Sequence, residues 1–157
     1  MRVVVADEHR HLATPLVKIG AVARQFGVSL DLLRLYEREG LLIPLKSQHG
    51  TRYFTPQDYE WIRTLLQLVR RAHVNMAGIR RLLAMTPCWQ MRACGHSSRE
   101  NCPGVQNRTH PCWIARARCK DSDCYFCQVY RAAPKCEALQ ALLAPESALL
   151  QRPPSGA

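Results

Sequence analysis

Apolar positions in the first half of the chain recur at helical spacing, in blocks separated by glycine, proline and short polar turns. Ile19, Val22, Ala23 and Phe26 give a first helix one apolar face. Gly27 ends it, because glycine tolerates the left-handed backbone that stops a helix, and Ser29 is placed to cap a second helix with its hydroxyl. In that second helix Leu30 and Leu33 face inward while Asp31, Arg34 and Arg38 project outward, and Gly40 closes it. Two short amphipathic helices joined by a tight turn containing glycine are a helix-turn-helix signature, whose outward face a DNA major groove could meet. Leu42 to Phe54 then reads as two extended arms around Ser47, Gln48, His49 and Gly50, a candidate wing. Thr55 and Pro56 open a third helix, with Asp58 three residues after the cap and Tyr59, Ile62, Leu66 and Val69 as its apolar stripe. Asn75 caps a fourth, buried through Ile79, Leu82 and Leu83 and stopped at Thr86 and Pro87.

Beyond Pro87 the periodicity breaks. Prolines at 87, 103 and 111 and glycines at 95 and 104 exclude a sustained heptad. The nearest candidates for a dimer element are short: Trp113 to Cys119, and Cys136 to Ala144 with Leu139, Leu142 and Leu143 on one edge. The pattern therefore predicts a mostly α protein in four parts: a flexible extension over 1–15, a winged helix-turn-helix over 16–86, a small loop-rich, cysteine-rich metal-binding module over 87–145, and a disordered tail over 146–157. Val3, Val4 and Val5 could form an isolated strand, and no function is assigned to it.

Charge supports an anionic partner. The chain has 22 Lys plus Arg against 12 Asp plus Glu, a net +10. Eleven basic and five acidic residues fall between Lys18 and Met85, eight and four between Thr86 and Ala144, and the two ends are neutral. On the second helix Arg34 and Arg38, with Ser29 and Tyr36, are candidate DNA contacts; Lys18 precedes the unit, and Lys46, Arg52 and Tyr53 lie on the wing, where a basic hairpin can follow the phosphate backbone. The alternative for the arginines is a solvated surface. No stretch approaches the roughly 20 apolar residues that span a membrane, and the start lacks a signal-peptide pattern. The expected location is cytoplasmic.

All 8 cysteines lie between 88 and 136: Cys88, Cys94, Cys102, Cys112, Cys119, Cys124, Cys127 and Cys136. In a reducing compartment they are more readily metal-bound or redox-active than paired in structural disulfides. Such density in a loop-rich segment with little core calls for another source of order, which thiolate coordination supplies. Cys124 and Cys127, at CxxC spacing around Tyr125 and Phe126, are the strongest pair. Zinc favours four tetrahedral ligands, whereas an iron-sulfur cluster accepts irregular spacing such as this; the cluster is favoured, zinc is the alternative, and all eight cysteines are candidate ligands. His96 and His110 are read as loop residues. A CxxC thiol oxidoreductase is a further alternative, set back by the absence of the βαβ context that such sites use.

The run from Ile19 through Phe54, with RLYEREGLL at Arg34 to Leu42 and GTRYF at Gly50 to Phe54, resembles the winged helix-turn-helix of MerR-type transcription regulators, and the resemblance continues to Leu83. Leu32 stands where that family commonly has Thr, and Leu35 where it has the first of two tyrosines. The resemblance implies a non-enzymatic, sequence-specific regulator that acts as a homodimer on double-stranded promoter DNA. It also implies activation of RNA polymerase through the shared promoter by underwinding an over-long spacer. The family normally pairs its subunits through a long helix, which here is displaced or replaced. The paired Cys88-Trp89 and Cys112-Trp113 elements, with CGx6CP at 94 to 103, resemble a bacterial two-CW cysteine-rich domain. Superoxide-sensing members of the MerR family carry a cluster on four closely spaced cysteines. This chain lacks that compact spacing, and the likeness adds only an expectation that the cysteine module senses redox state or metal. A DNA-binding protein with a purely structural zinc module is the alternative.

Overall fold

The computed structural model of the 157-residue chain describes residues 14–86, 88–91, 99–106, 108–115 and 124–144. The Val3 to Val5 stretch, Cys94, Cys119 and the C-terminal tail lie outside them.

A short strand β1 (Val17–Lys18) leads into α1 (Ile19–Phe26). Gly27 ends α1 in the left-handed conformation at φ 61°, and Ser29 caps α2 (Leu30–Arg38), its side-chain oxygen accepting the Leu32 N–H at 3.1 Å. Strands β2 (Leu45–Lys46) and β3 (Arg52–Phe54) form the hairpin, and β1 adds to its other edge, so the antiparallel sheet has the order β1-β3-β2. In this register Tyr53 is opposite both Lys18 and Leu45. Two helices follow, α3 (Pro56–Arg70) and α4 (Met76–Ala84), the latter capped by Asn75, whose side chain accepts the Gly78 N–H at 2.8 Å.

Two expectations need correction. Leu30 is 39% exposed, and Leu33 and Tyr36, one helical turn apart, carry the buried face of α2 instead. The apolar face of α3 is also wider than the stripe through Ile62 and Leu66, because Trp61, Leu65 and Leu68 are buried as well. A helix buried that broadly needs cover on a second side.

The C-terminal segment provides it. Among the described residues it holds short helices α5 (Cys88–Met91), α6 (Pro103–Gln106), α7 (Gln128–Ala132) and α8 (Glu137–Leu143), with single 3-10 turns at Arg99–Asn101, Cys124–Phe126 and Ala133–Lys135. α8 packs on α3 and α4, and the Ala133–Lys135 turn packs on α3. One apolar cluster runs from Val22, Leu33 and Ile62 through Cys127, Val129, Tyr130, Ala133 and Leu139. The boundary after residue 86 is thus not a boundary in packing. Burial against the first half gives this segment a source of order that its own composition does not reveal. It also engages the short elements expected to pair subunits: Leu139 is fully buried within the chain, and residues 112–115 form turns.

Candidate nucleic-acid interface

The exposed face of α2 carries Asp31, Arg34 and Arg38. Arg34 and Asp31 are 3.3 Å apart, with side chains 47% and 87% exposed. An ion pair that open to water is worth little, so Arg34 can exchange it for a base edge or phosphate at small cost. Lys18 and Ser29 are exposed nearby in the sequence, although the Ser29 hydroxyl is already occupied as a cap. Tyr36 does not belong with them. Its ring is 1% exposed in the core, and its hydroxyl has no hydrogen-bond partner among the described residues. Burial raises its pKa, with Arg70 acting in the opposite direction. A side chain in that position cannot reach DNA without unpacking α2.

The wing is closed by its own turn. The Ser47 N–H donates to Thr51 O at 2.9 Å, the Gly50 N–H to Ser47 O at 2.9 Å, and the Thr51 N–H to the Ser47 hydroxyl at 3.1 Å. Gly50 holds φ at 76°, which explains a glycine at the tip. Lys46 and Arg52, directly opposite in register, both reach Glu37 on α2; Lys46 Nζ lies 2.6 Å from one carboxylate oxygen and Arg52 Nε donates to the other. Burial works against ionisation of Glu37, but hydrogen bonds from Arg52 and Lys46 outweigh it and hold its pKa below the ordinary value. Glu37 therefore joins the second helix to the wing. The sequence reading missed it by following only the outward face of α2. A second acid, Glu39, pairs with Arg80 of α4 at the end of the same helix.

The sequence that builds this arrangement also matches known sequences. Residues 17–86 fit the family described as MerR HTH family regulatory protein. They form a MerR-family helix-turn-helix domain. Curated relatives include HspR of Streptomyces coelicolor, named as a heat shock protein and 32% identical over 72 residues, which are 46% of this chain and 48% of the relative. The transcriptional regulator BrlR of Pseudomonas aeruginosa is 38% identical over 69 residues, 43% of this chain and 25% of BrlR. The HTH-type transcriptional regulator AdhR of Bacillus subtilis is 34% identical over 64 residues, 40% and 45% of the two chains. Each match spans less than half of the relative's length. No solved structure matches the chain.

Beyond residue 86, the described cysteines lie on and between the short C-terminal elements. Cys124 and Cys127 flank Tyr125, which is 1% exposed and whose hydroxyl donates to Asp58 Oδ2 at 2.9 Å. Burial and the Asp58 charge push Tyr125 up to about 12. Arg131 donates to Asp58 Oδ1 at 2.8 Å and stacks over the Tyr125 ring with its guanidinium carbon 3.8 Å from the centroid. Asp58 also accepts from Thr55 N at 2.7 Å, so the CxxC turn is fastened to the first turn of α3, directly after the wing. Cys88 and Cys112 line one cavity. Cys102 approaches Cys112 across Gly104, where a Cβ would lie 2.9 Å from Cys112 Cβ and 3.7 Å from Cys102 Sγ. Among the described residues no group of three or more His, Cys, Asp or Glu is arranged to hold a metal ion, and the expected ligands Cys94 and Cys119 lie outside those residues. Nor do the described residues form a βαβ unit around the CxxC pair, since the sheet is wholly antiparallel. No described helix is long and apolar enough to cross a membrane.

Proposed function

We propose that the protein is a transcription regulator that binds double-stranded promoter DNA through α2 and the β2-β3 wing, and that its cysteine-rich segment makes this binding responsive to redox state. The observation that carries the first part is the basic, exposed face of α2 joined to the wing through Glu37, in a domain of MerR type. In this reading Arg34 and Arg38 meet base edges, and Lys18, Lys46, Arg52 and Tyr53 follow the backbone. A homodimer brings two such units to a pseudo-palindromic site, and RNA polymerase is engaged through the shared promoter by deforming the DNA. The redox part draws support from the position of the CxxC turn, whose Tyr125 reaches the residue that caps α3. The favoured occupant of the cysteines is an iron-sulfur cluster, which would sense redox state or metal; a purely structural zinc ion is the alternative.

The test is titration of the purified protein against promoter fragments at two salt concentrations, first reduced and then oxidised, alongside iron and zinc analysis of anaerobically prepared protein. Sequence-specific binding that weakens with salt and changes on oxidation supports the reading. Equal affinity for all DNA, or none, rejects the regulator. A brown protein with stoichiometric iron supports the cluster, and a colourless one with stoichiometric zinc moves the cysteines to the structural alternative.

A further inference from the structure

Residues 39–44 join α2 to the first strand of the wing and belong to no helix or strand. A stretch without a ladder of its own takes its course from whatever its backbone groups bond. The amides of Leu41 and Leu42 donate back to Tyr36 O, at 2.8 and 3.2 Å, and so continue the end of α2. The other partners come from farther along the chain. Trp61 of α3 donates its indole N–H to Leu41 O. Trp113 donates to Gly40 O at 2.9 Å, and the Tyr130 hydroxyl accepts the Ile43 N–H at 2.9 Å. Trp113 and Tyr130 also hold each other, with their rings edge to face, centroids 5.4 Å apart and planes at 81°. Leu41 and Leu42 are buried as well, but apolar burial is non-directional. The two hydrogen bonds fix the direction in which the chain enters β2, where Lys46 stands opposite Arg52.

We propose that Trp113 and Tyr130 are positioning residues for DNA binding: together they hold residues 40–43 so that Lys46 and Arg52 keep a fixed place relative to Arg34 on α2. The proposal rests on the assignment of α2 and the wing to DNA above and asks nothing of the cysteines. The hairpin cannot supply this order alone, because its strands are two and three residues long and an isolated hairpin is marginal in water. With the wing already placed, DNA meets one rigid unit and does not have to order it on binding.

The experiment uses the full chain with Trp113→Phe and Tyr130→Phe, which keep an aromatic ring at each place and remove the N–H or the hydroxyl. Far-ultraviolet dichroism checks that each variant is folded, and either one alone is enough for the test. Without DNA, the readout is the Glu37 carboxyl, followed by carbon NMR as pH is lowered. Burial raises the pKa of Glu37, yet hydrogen bonds from Arg52 and Lys46 hold it below 4.5. A displaced wing should let that midpoint rise toward 4.5, whereas a general loss of stability with the wing still on α2 should not move it. With DNA, both variants should bind specific and scrambled fragments more weakly and keep the preference for the specific site. The slope of log affinity against log salt should fall by about one for each wing cation withdrawn. An unchanged Glu37 midpoint together with an unchanged salt slope in a folded variant overturns the proposal. So does a lost preference at an unchanged slope, which places the effect on α2 and not on the wing. If the parent protein binds no DNA, the regulator reading fails, while the Glu37 titration still decides whether this pair sets the wing.

Discussion

The hydroxyl of Tyr125, set between the two cysteines of the CxxC turn, donates to the buried carboxylate of Asp58 at 2.9 Å. Asp58 is only 3% exposed and also accepts from the Thr55 backbone at 2.7 Å, the Thr55 hydroxyl at 3.1 Å and Arg131 at 2.8 Å. Two segments that differ sharply in composition are thereby joined at one polar point inside a shared apolar core. Trp113 makes a second such tie, donating its indole N–H to Gly40 O at 2.9 Å, and the Tyr130 hydroxyl makes a third, accepting the Ile43 N–H at 2.9 Å.

Tyr125→Phe should destabilise the protein by about 1 kcal/mol, the net worth of one buried hydrogen bond. Asp58→Ala should cost about 3 kcal/mol or more, since it leaves the Arg131 charge without its partner and removes a cap from α3. In urea both variants should still unfold in one transition when followed by tryptophan fluorescence and by far-ultraviolet dichroism, because the halves share their core. Two separated transitions in the parent would contradict that shared core. Tyr125 also has a raised pKa of about 12. The unfolded tyrosine ionises first, so the stability linked to it is present below pH 10 and lost as pH rises toward 12. Tyr125→Phe should flatten that part of the profile.

The first half of the fold was legible because its information is local. Gly27, Ser29, Thr55 with Asp58, and Asn75 each act within a turn or two of their own position, and each occupies the place that its chemistry implies. The C-terminal half was much less legible. Tyr125 and Tyr130 find hydrogen-bond partners 67 and 87 residues away, Leu139 is buried on a helix that packs against α3 and α4, and no period in the sequence announces such pairings. Tyr36 shows the limit within a motif: its place beside charged neighbours marks it as a possible contact, yet helical spacing from Leu33 turns it inward. Glu37 shows the converse, since only the register of Lys46 with Arg52 reveals what it holds.

Glu37 should make the seat of the wing sensitive to acid. Its folded pKa lies below the 4.5 of the free side chain. The stability it adds is therefore complete above that value and is lost as pH falls through the lowered folded value. Glu37→Gln should remove this acid-side dependence and loosen the hairpin, read as faster amide exchange at Lys46 and Arg52 at neutral pH with little change in α3. If exchange in the hairpin is unaltered, the two ion pairs do not hold the wing.

On DNA, Arg34→Ala should weaken binding to the preferred site by about 1–3 kcal/mol while leaving nonspecific affinity nearly unchanged. Arg52→Ala should weaken all sequences alike and lower the slope of log affinity against log salt by about one. Arg52 has to divide its charge between phosphate and Glu37, so Glu37→Gln should strengthen nonspecific binding. Titrations with specific and scrambled fragments at two salt concentrations separate these outcomes. A base-specific loss at Arg52 in place of Arg34 would exchange the two roles.

Gly40 offers a test of the docking itself. It sits just beyond α2 with φ at 70°, in the left-handed region that side chains disfavour. A Cβ built there would lie 2.5 Å from Ile114 Cγ1 and 2.8 Å from its Cδ1. Gly40→Ala therefore carries two penalties, backbone strain of about 1–2 kcal/mol and a collision with the segment that holds Cys112. Only the second should be relieved by making room on the other side. Gly40→Ala with Ile114→Ala should then destabilise less than the sum of the two single changes, by an interaction energy of about 1 kcal/mol or more in a double-mutant cycle. Strict additivity, measured by urea unfolding of all four proteins, would mean that residues 112–115 do not rest on the end of α2 in solution.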